Sequence, residues 1–252
     1  MIKIALVGIN GKMGQVICRM LEDNNSAKIV CGVDINKDEK NGVPVYNSLS
    51  EAKDEIDVII DFSHPSSLES TLKYAMKNNK ALVLATTGLS TEQITLVNEA
   101  SKIIPVFFSA NMSLGVNLLI ELAKKATALL QDNFDIEIIE KHHNQKIDAP
   151  SGTALAIADA INDTCTNSNE YIYDRHSTRK KRSKNEIGIH AVRGGTIVGE
   201  HSVIFAGNDE IIELKHTATS KEIFAVGAIK AAIFLNGKDS GMYNMGHLIG
   251  EV

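Results

Sequence analysis

The sequence has few cysteines, no long apolar run and no excess of positive charge. Its three cysteines, Cys18, Cys31 and Cys165, are odd in number and far apart, which argues against a disulfide framework or a zinc site. No apolar run approaches the roughly 20 residues that a membrane-spanning helix needs, and residues 1–4 lead directly into a predicted strand, with no signal peptide before it. We therefore expect reduced thiols in a soluble cytoplasmic protein without a membrane partner.

Charge and composition narrow the class of protein further. The formal net charge is −5 at pH 7, whereas a general nucleic-acid binder would usually be basic. Hydrophobic residues make up 44% and charged residues 23% of the 252 positions, which is ordinary for a globular protein. A chain of this length can bury one large core or two modest ones, and it contains no internal repeat.

The first forty residues have the pattern of a dinucleotide-binding unit. Residues 2–7 are a short apolar run typical of a buried parallel strand, and the turn Gly8-Ile-Asn-Gly11-Lys-Met-Gly14 follows it. Helical apolar spacing comes next, and residues 28–33 predict a second strand that ends at Asp34. Glycines let the backbone approach a pyrophosphate, a helix start stabilises its charge, and an acid binds ribose hydroxyls. The arrangement predicts nucleotide binding, although the turn is one residue longer than the usual fingerprint.

The alternation of strands and helices continues to residue 112. The predicted elements are strands at 57–62, 81–85 and 103–108, a helix at 65–77, and a helix from a cap at Thr91 to residue 101. Loops after parallel strands lie on one edge of the sheet, so the loops beginning at Phe62, Thr86 and Ser109 should surround the cofactor. The predicted cofactor-binding residues are Gly8, Ile9, Asn10, Gly11, Lys12, Met13, Gly14, Asp34, Phe62, Thr86, Thr87, Gly88, Ser109, Ala110, Asn111 and Met112.

The second half changes to strands separated by short turns. Strand alternation occurs at 134–140, 187–193, 197–205 and 211–216. Gly194-Gly195 and Gly207-Asn208-Asp209 are typical of hairpins, so we expect a largely antiparallel sheet flanked by helices at 113–130 and 152–162. One face of such a sheet would stay uncovered, and a second subunit is the simplest cover.

Two further segments complete the predicted architecture. Residues 164–184 are polar with Arg179-Lys-Lys-Arg182 at their centre, which favours a solvated loop over a basic patch for anions. Ser220 should cap a final helix, and the tail from Gly241 should pack back on the first unit. The fold class is therefore α/β, with a Rossmann-like dinucleotide-binding domain and an α+β domain with a mixed, largely antiparallel sheet. The expected domains are residues 1–112 with 221–252, and residues 113–220.

Residues 140–153 combine charged side chains with the start of a helix. The pair His142-His143 and Lys146 follow a predicted strand, and Pro150-Ser151 favours a helix start. The pair Gly152-Thr153 would then lie at a helix N-terminus, where free backbone N–H groups attract an anion. These features together predict a site for an acidic small molecule.

Two other interpretations of this stretch are open. It can be a polar strand-to-helix loop whose histidines are merely solvated. A metal site built on Glu140, His142 and His143 is a second alternative, but neighbouring strand residues point to opposite faces. We therefore predict no metal.

The run Glu140-Lys-His-His-Asn-Gln-Lys-Ile-Asp-Ala-Pro-Ser-Gly-Thr-Ala154 has a counterpart in a known family. It resembles the E-x-H-H-x-x-K-x-D-A-P-S-G-T-A signature of 4-hydroxy-tetrahydrodipicolinate reductases, also called dihydrodipicolinate reductases. Residues 187–201 and 224–228 are similar to further blocks of that family, so the resemblance covers essentially the whole chain. It implies reduction of 4-hydroxy-tetrahydrodipicolinate to tetrahydrodipicolinate with NADH or NADPH, with loss of water, in lysine and diaminopimelate biosynthesis. It also implies a homotetramer.

The resemblance assigns roles to the residues of the signature. His142 would be the general acid/base, with Lys146 as its companion donor. The substrate carboxylates would be held by His143, Lys146, Ser151, Gly152 and Thr153. These roles agree with the chemistry, because hydride addition to an imine leaves negative charge that a nearby acid must neutralise. A dicarboxylate in turn needs fixed positive charge and aimed N–H groups.

Departures from the family pattern leave rival functions open. Ala85 stands where many relatives have glycine, and Lys221 stands where arginine is common. One rival is another two-domain NAD(P)-dependent oxidoreductase acting on an amino acid or a sugar. A second rival is a non-catalytic NADH-sensing protein.

The residues near Asp34 predict the cofactor preference. A carboxylate at the end of the second strand accepts hydrogen bonds from ribose hydroxyls and repels a 2′-phosphate, which favours NADH. Lys12 and Lys37 could partly neutralise that repulsion, although solvent screens flexible ammonium groups at an open rim. We expect both cofactors to work, with NADH preferred by less than about tenfold.

Overall fold

The computed structural model describes residues 1–39 and 42–250. Within this part the chain divides into two compact units, the first formed by Met1–Leu114 and Glu222–Gly250 and the second by Gly115–Lys221. Residues 251 and 252, which the predicted first domain includes, lie outside the described residues. No helix in the described part combines the length and the apolar character that a membrane crossing requires.

The strands and helices are numbered in chain order. The strands are β1 (Ile2–Val7), β2 (Ala27–Val33), β3 (Val45–Tyr46), β4 (Val58–Asp61), β5 (Ala81–Leu84), β6 (Pro105–Phe108), β7 (Asp135–His142), β8 (Glu170–Ile172), β9 (Glu186–Arg193), β10 (Gly199–Ala206), β11 (Ile211–Ala218) and β12 (Gly241–Tyr243). The helices are α1 (Lys12–Leu21), α2 (Leu68–Lys77), α3 (Thr91–Ser101), α4 (Leu114–Leu130), α5 (Gly152–Thr164), α6 (Glu222–Leu235) and α7 (Met245–Ile249).

The first unit contains a parallel sheet with hydrophobic layers on both faces. Its strand order is β12-β6-β5-β4-β1-β2-β3, and every pairing is parallel. Ile4 and Leu6 of β1 pack in one core with residues of α1 and α6, whereas Ala5 and Val7 pack in a second core with residues of α2 and α3. Burial on both faces explains why β1 is continuously apolar. The predicted Rossmann-like unit is confirmed, and the strand order reverses between β1 and β4.

Two details of the first unit differ from or extend the sequence prediction. The predicted cap at Thr91 is wrong by one residue, because the Ser90 hydroxyl accepts the Gln93 N–H at 3.3 Å and the Gln93 side chain accepts the Ser90 N–H at 3.0 Å. This reciprocal pair is a capping box. The tail from Gly241 packs on the first unit as predicted, and it does so by adding β12 to the edge at β6.

The second unit contains a mixed sheet in the order β11-β10-β7-β9-β8. β10 pairs antiparallel with β7 and β11, whereas β9 pairs parallel with β7 and β8. The mixed sheet is confirmed, and Gly207-Asn208-Asp209 joins the β10–β11 hairpin. The hairpin predicted at Gly194-Gly195 is wrong, because β9 and β10 lie on opposite sides of β7.

The two faces of this second sheet differ in character. Ile136, Ile138 and Phe205 pack on one face against Ala154 and Ile157 of α5 and against α4. The other face carries charged side chains of β7 and β9. On that face, arginines of residues 164–184, the segment predicted as a solvated loop, form ion pairs with carboxylates of β7 and β9.

That polar segment, residues 164–184, is partly ordered against the sheet. Arg175 contacts Glu137 and Glu186 at 2.8 Å each, and Arg182 contacts Glu137 at 3.1 Å and Asp135 at 2.9 Å. The segment also contains β8, which the sequence did not predict. Exposed positions such as Arg179 remain solvated.

Candidate active site

The glycine turn of the first unit is fixed by close backbone contacts. Gly8 has a φ of 83°, and its N–H donates to the Val33 carbonyl at 2.8 Å. A Cβ atom at Gly8 would lie 2.8 Å from the Phe62 carbonyl oxygen, and one at Gly14 would lie 2.3 Å from the Gly8 carbonyl oxygen. Both positions therefore require glycine, because a side chain would displace backbone.

The turn leads into the start of α1 and is bonded, through Asn10, to the Asp34 carboxylate. Gly11 is the N-cap of α1, and the first turn of α1 contains no acidic residue. The Asp34 carboxylate accepts the Asn10 N–H at 2.9 Å and the Asn36 N–H at 3.1 Å. The first N–H groups of a helix have no partner within the helix and can donate to a phosphate, and an adjacent carboxylate can accept from ribose hydroxyls, so the two together fit a dinucleotide. Ile9, by contrast, is fully buried in the core, and its carbonyl accepts the Gln15 side-chain N–H at 3.1 Å.

A cavity of about 310 Å³ follows the ends of β4, β5 and β6. The predicted cofactor residues that line it are Met13, Phe62, Thr86, Thr87, Ser109, Ala110, Asn111 and Met112. Ser63, Ala85 and Phe224 complete the lining. Gly88, also predicted, has a φ of 76° and lies outside the lining. The strand-end loops therefore gather as predicted.

Asp61, at the end of β4, was missed by the sequence prediction and connects two of these loops. Its buried Oδ1 accepts the Ser63 hydroxyl at 2.5 Å, the Ser63 N–H at 2.9 Å and the Thr86 hydroxyl at 3.1 Å. Burial raises the pKa of Asp61, and these hydrogen bonds oppose the shift. The only sequence signal was an acid inside an apolar strand.

In the second unit, β7 ends in a buried carboxylate and imidazole. The strand extends to His142, two residues beyond the predicted end, so Glu140 and His142 share the face that packs on the helices. The Glu140 side chain is 0% exposed, and its Oε2 lies 2.6 Å from His142 Nδ1.

Glu140 has three further donors. Arg193 donates to Oε2 at 2.8 Å and to Oε1 at 2.7 Å, and the Ser151 N–H donates to Oε1 at 3.0 Å. Burial acts to raise the pKa of Glu140, but the hydrogen bonds from Arg193, His142 and Ser151 outweigh burial and hold the pKa below its usual value. The carboxylate is therefore ionised at neutral pH.

A second buried histidine lies beside the first. The His201 and His142 rings are 5.2 Å apart and meet edge to face at 73°. His201 Nε2 lies 3.0 Å from the Ser151 hydroxyl, which also accepts the Ala154 N–H at 3.1 Å as the N-cap of α5. Burial lowers the pKa of His201 to about 4, with a further contribution from His142, so His201 is neutral at pH 7.

The loop between β7 and α5 is held from both ends. The Gly194 N–H donates to the His142 carbonyl at 2.9 Å, and the Asn144 N–H donates to the Gly195 carbonyl at 3.2 Å. Gly194-Gly195 therefore docks this loop instead of forming the predicted hairpin. Arg193 also donates to the Asp148 carbonyl at 2.6 Å.

The predicted substrate residues lie in this loop and at the start of α5. Lys146 Nζ contacts the Asp148 carboxylate at 2.8 Å, and this hydrogen bond lowers the pKa of Asp148. His143 Nδ1 is buried without a hydrogen-bond partner among the described residues. Gly152 and Thr153 begin α5. In the described part of the chain, no group of three or more His, Cys, Asp or Glu side chains is arranged to hold a metal ion.

Two family models match this chain. The N-terminal model of dihydrodipicolinate reductase matches residues 2–112, and the C-terminal model matches residues 115–249. The chain belongs to the dihydrodipicolinate reductase family. It is therefore an oxidoreductase, and its cofactor is a nicotinamide dinucleotide. The resemblance seen in residues 140–154 is confirmed.

Individual members of the reductase family match over nearly their whole length. The 4-hydroxy-tetrahydrodipicolinate reductase of Clostridium tetani is 54% identical over 97% of this chain and 96% of its own. That of Caldanaerobacter subterraneus subsp. tengcongensis is 53% identical over 99% of this chain and 98% of its own. A solved dihydrodipicolinate reductase of Paenisporosarcina sp. TG-14, with dipicolinate bound, is 25% identical with a TM-score of 0.81, covering 97% of each chain.

Proposed function

We propose that this chain reduces 4-hydroxy-tetrahydrodipicolinate to tetrahydrodipicolinate, with His142 moving the proton. The observation that carries the assignment of the acid is the buried contact between His142 Nδ1 and the Glu140 carboxylate. The overall reaction takes up one hydride and one proton and releases water. The nicotinamide supplies the hydride when it is bound, and an imidazole can supply the proton near neutral pH.

Lys146 would be the companion donor. It lies four residues beyond His142, in the loop docked by Gly194-Gly195, and its ammonium is already in contact with a carboxylate, that of Asp148. A substrate carboxylate would take over or share this contact, because an ammonium with several donors can bind two acceptors. The same charge would stabilise negative charge that develops on the substrate.

The substrate carboxylates would bind at His143, Lys146, Ser151, Gly152 and Thr153. Gly152 and Thr153 supply the N-terminus of α5, where an anion is favoured. Ser151 would fix the start of α5 in place beside the substrate, since its N–H is bonded to Glu140 and its hydroxyl to Ala154 and His201. The bound dipicolinate of the Paenisporosarcina enzyme, a planar dicarboxylate, supports this class of ligand.

The cofactor would bind along the strand ends of the first unit. The α1 N-terminus would hold the pyrophosphate, Asp34 the adenosine ribose, and the 310 Å³ cavity the nicotinamide end. Both oxygens of Asp34 accept backbone N–H groups, so the carboxylate is fixed at the strand end where a 2′-phosphate would be repelled. We infer that NADH and NADPH both serve, with NADH preferred by less than about tenfold.

A homotetramer would cover the open face of the second sheet. That face carries Ile139 and Ile204 between charged neighbours, and Val192 and Ile211 are exposed at 44% and 69%. Exposed apolar side chains on a sheet face favour association with another copy. Sedimentation that gives only the 27.3 kDa monomer at micromolar concentration would refute this assembly.

The activity is tested with enzymatically generated substrate and purified protein. Oxidation of NADH should be observed with 4-hydroxy-tetrahydrodipicolinate and not with amino acids or sugars. Turnover of an amino acid or a sugar alone would favour the rival oxidoreductase. NADH binding without turnover of any of these substrates would favour a sensing protein.

A further inference from the structure

Among the described residues, three side chains or backbone groups contact the Glu140 carboxylate: the Arg193 guanidinium, the Ser151 N–H and the His142 ring. Arg193 binds it in a two-pronged contact at 2.7 and 2.8 Å, the Ser151 N–H lies at 3.0 Å and His142 Nδ1 at 2.6 Å. The side chain is fully buried, so water does not compete for these positions. A buried carboxylate paired with a guanidinium remains an acceptor, because an ionised carboxylate has no proton to donate.

This environment determines where the imidazole carries its proton. A neutral imidazole has one N–H, and the nitrogen that faces an ionised carboxylate must be the donor. We propose that Glu140, held by Arg193, is a positioning residue that fixes His142 with its proton on Nδ1. Proton exchange is then confined to Nε2, so the neutral and protonated imidazole differ only at that atom. This inference rests on the proposed role of His142 as the acid.

Two features next to the ring support Nε2 as the exchanging atom. A Cβ at Gly199 would lie 3.1 Å from His142 Nε2, so the glycine leaves space beside that nitrogen. The neighbouring ring, His201, is neutral at pH 7 and hydrogen-bonded to Ser151, so it adds no charge. The charged groups nearby are Glu140 and Arg193, which compensate each other, and Lys146 and Asp148, which are paired in the adjoining loop.

The same strand provides a matched control. Glu137 lies on the opposite face of β7 and has the same types of partner: Arg175 at 2.8 Å, Arg182 at 3.1 Å and His190 Nε2 at 2.7 Å. Glu140→Gln and Glu137→Gln therefore both remove a carboxylate charge from an arginine–histidine network on one strand. A purely structural role predicts similar consequences for the two variants, whereas a positioning role does not.

The first measurement is ¹⁵N NMR of the unliganded full-length protein with ring-labelled histidine. The His142 signals are identified by their loss in His142→Asn. We expect Nδ1–H in the wild type and in Glu137→Gln, and a rise of the Nε2–H form in Glu140→Gln, whose amide can donate to Nδ1. Predominant Nε2–H in the wild type would overturn the proposal even if Glu140→Gln does not fold. An unchanged tautomer in a folded Glu140→Gln variant would also overturn it.

The second measurement is turnover. Glu140→Gln should lower kcat by about one to three orders of magnitude, with KM for NADH within about twofold, because the imidazole carries its proton on the wrong nitrogen while the cofactor unit is untouched. Glu137→Gln should keep kcat within about twofold. Equal losses of kcat in the two variants would show a structural role only. If His142→Asn retains turnover, the proposed role of His142 as the acid is wrong. The NMR measurement still decides separately whether Glu140 fixes the proton on Nδ1.

Discussion

Acidification should destabilise the fold through His201. Burial lowers the pKa of this histidine from an ordinary value of 6.5 to about 4. Between these two pH values the unfolded chain binds a proton that the folded chain excludes, so stability is lost as the pH falls. With these two pKa values, the free energy of unfolding is about 2 kcal/mol lower at pH 5 than at pH 7.

Urea unfolding at pH 7 and pH 5 measures this effect when the wild type is compared with His201→Gln. Glutamine removes the titration and keeps an amide for the Ser151 hydroxyl. The difference in free energy of unfolding between the wild type and His201→Gln should be about 2 kcal/mol less favourable to the wild type at pH 5 than at pH 7. The other titrating groups are common to both proteins, so their contributions cancel in this difference. His176→Gln, at an exposed position, should show no such change. An advantage of the wild type over His201→Gln that does not vary with pH would refute the reasoning.

Three further predictions concern cofactor and substrate. Asp34→Ala should erase or invert the NADH preference in kcat/KM, and a wild-type preference for NADPH would show that Asp34 has been misassigned. Gly199→Ala, which places a methyl group 3.1 Å from His142 Nε2, should lower kcat by about tenfold without changing KM for NADH; an unaltered kcat would show that Nε2 needs no space there. Dipicolinate should inhibit the wild type, and a Lys146→Ala, Thr153→Val double variant should bind it more weakly. Unchanged inhibition would place the carboxylate pocket elsewhere.

The first unit was predictable because its signals are local. The glycine turn, the helix that follows and Asp34 lie within one βαβ unit, where strand, turn and helix patterns are read from adjacent residues. The loops after β4, β5 and β6 could be grouped without knowing any distance, since parallel strands end at one edge. Asp61 was missed because its partners, Ser63 and Thr86, come together only when β4 and β5 pair.

The second unit shows where local signals fail. Gly194-Gly195 has hairpin composition, but β7 lies between β9 and β10, and no residue near the glycines encodes that insertion. The same parallel pairing of β7 with β9 brings Arg193 to Glu140 across 53 residues of sequence. The signature therefore predicts roles for His142 and Lys146 from sequence alone, whereas the contacts that hold His142 depend on the strand order.

The central claim is that His142 supplies the proton in this reductase. The most direct test is kcat for His142→Ala beside His176→Ala, measured by NADH oxidation with saturating 4-hydroxy-tetrahydrodipicolinate. His142→Ala should lose about two to four orders of magnitude in kcat and keep its KM for NADH, whereas His176→Ala, at an exposed loop position, should match the wild type. A His142→Ala variant that turns over at a rate near that of the wild type would contradict the account.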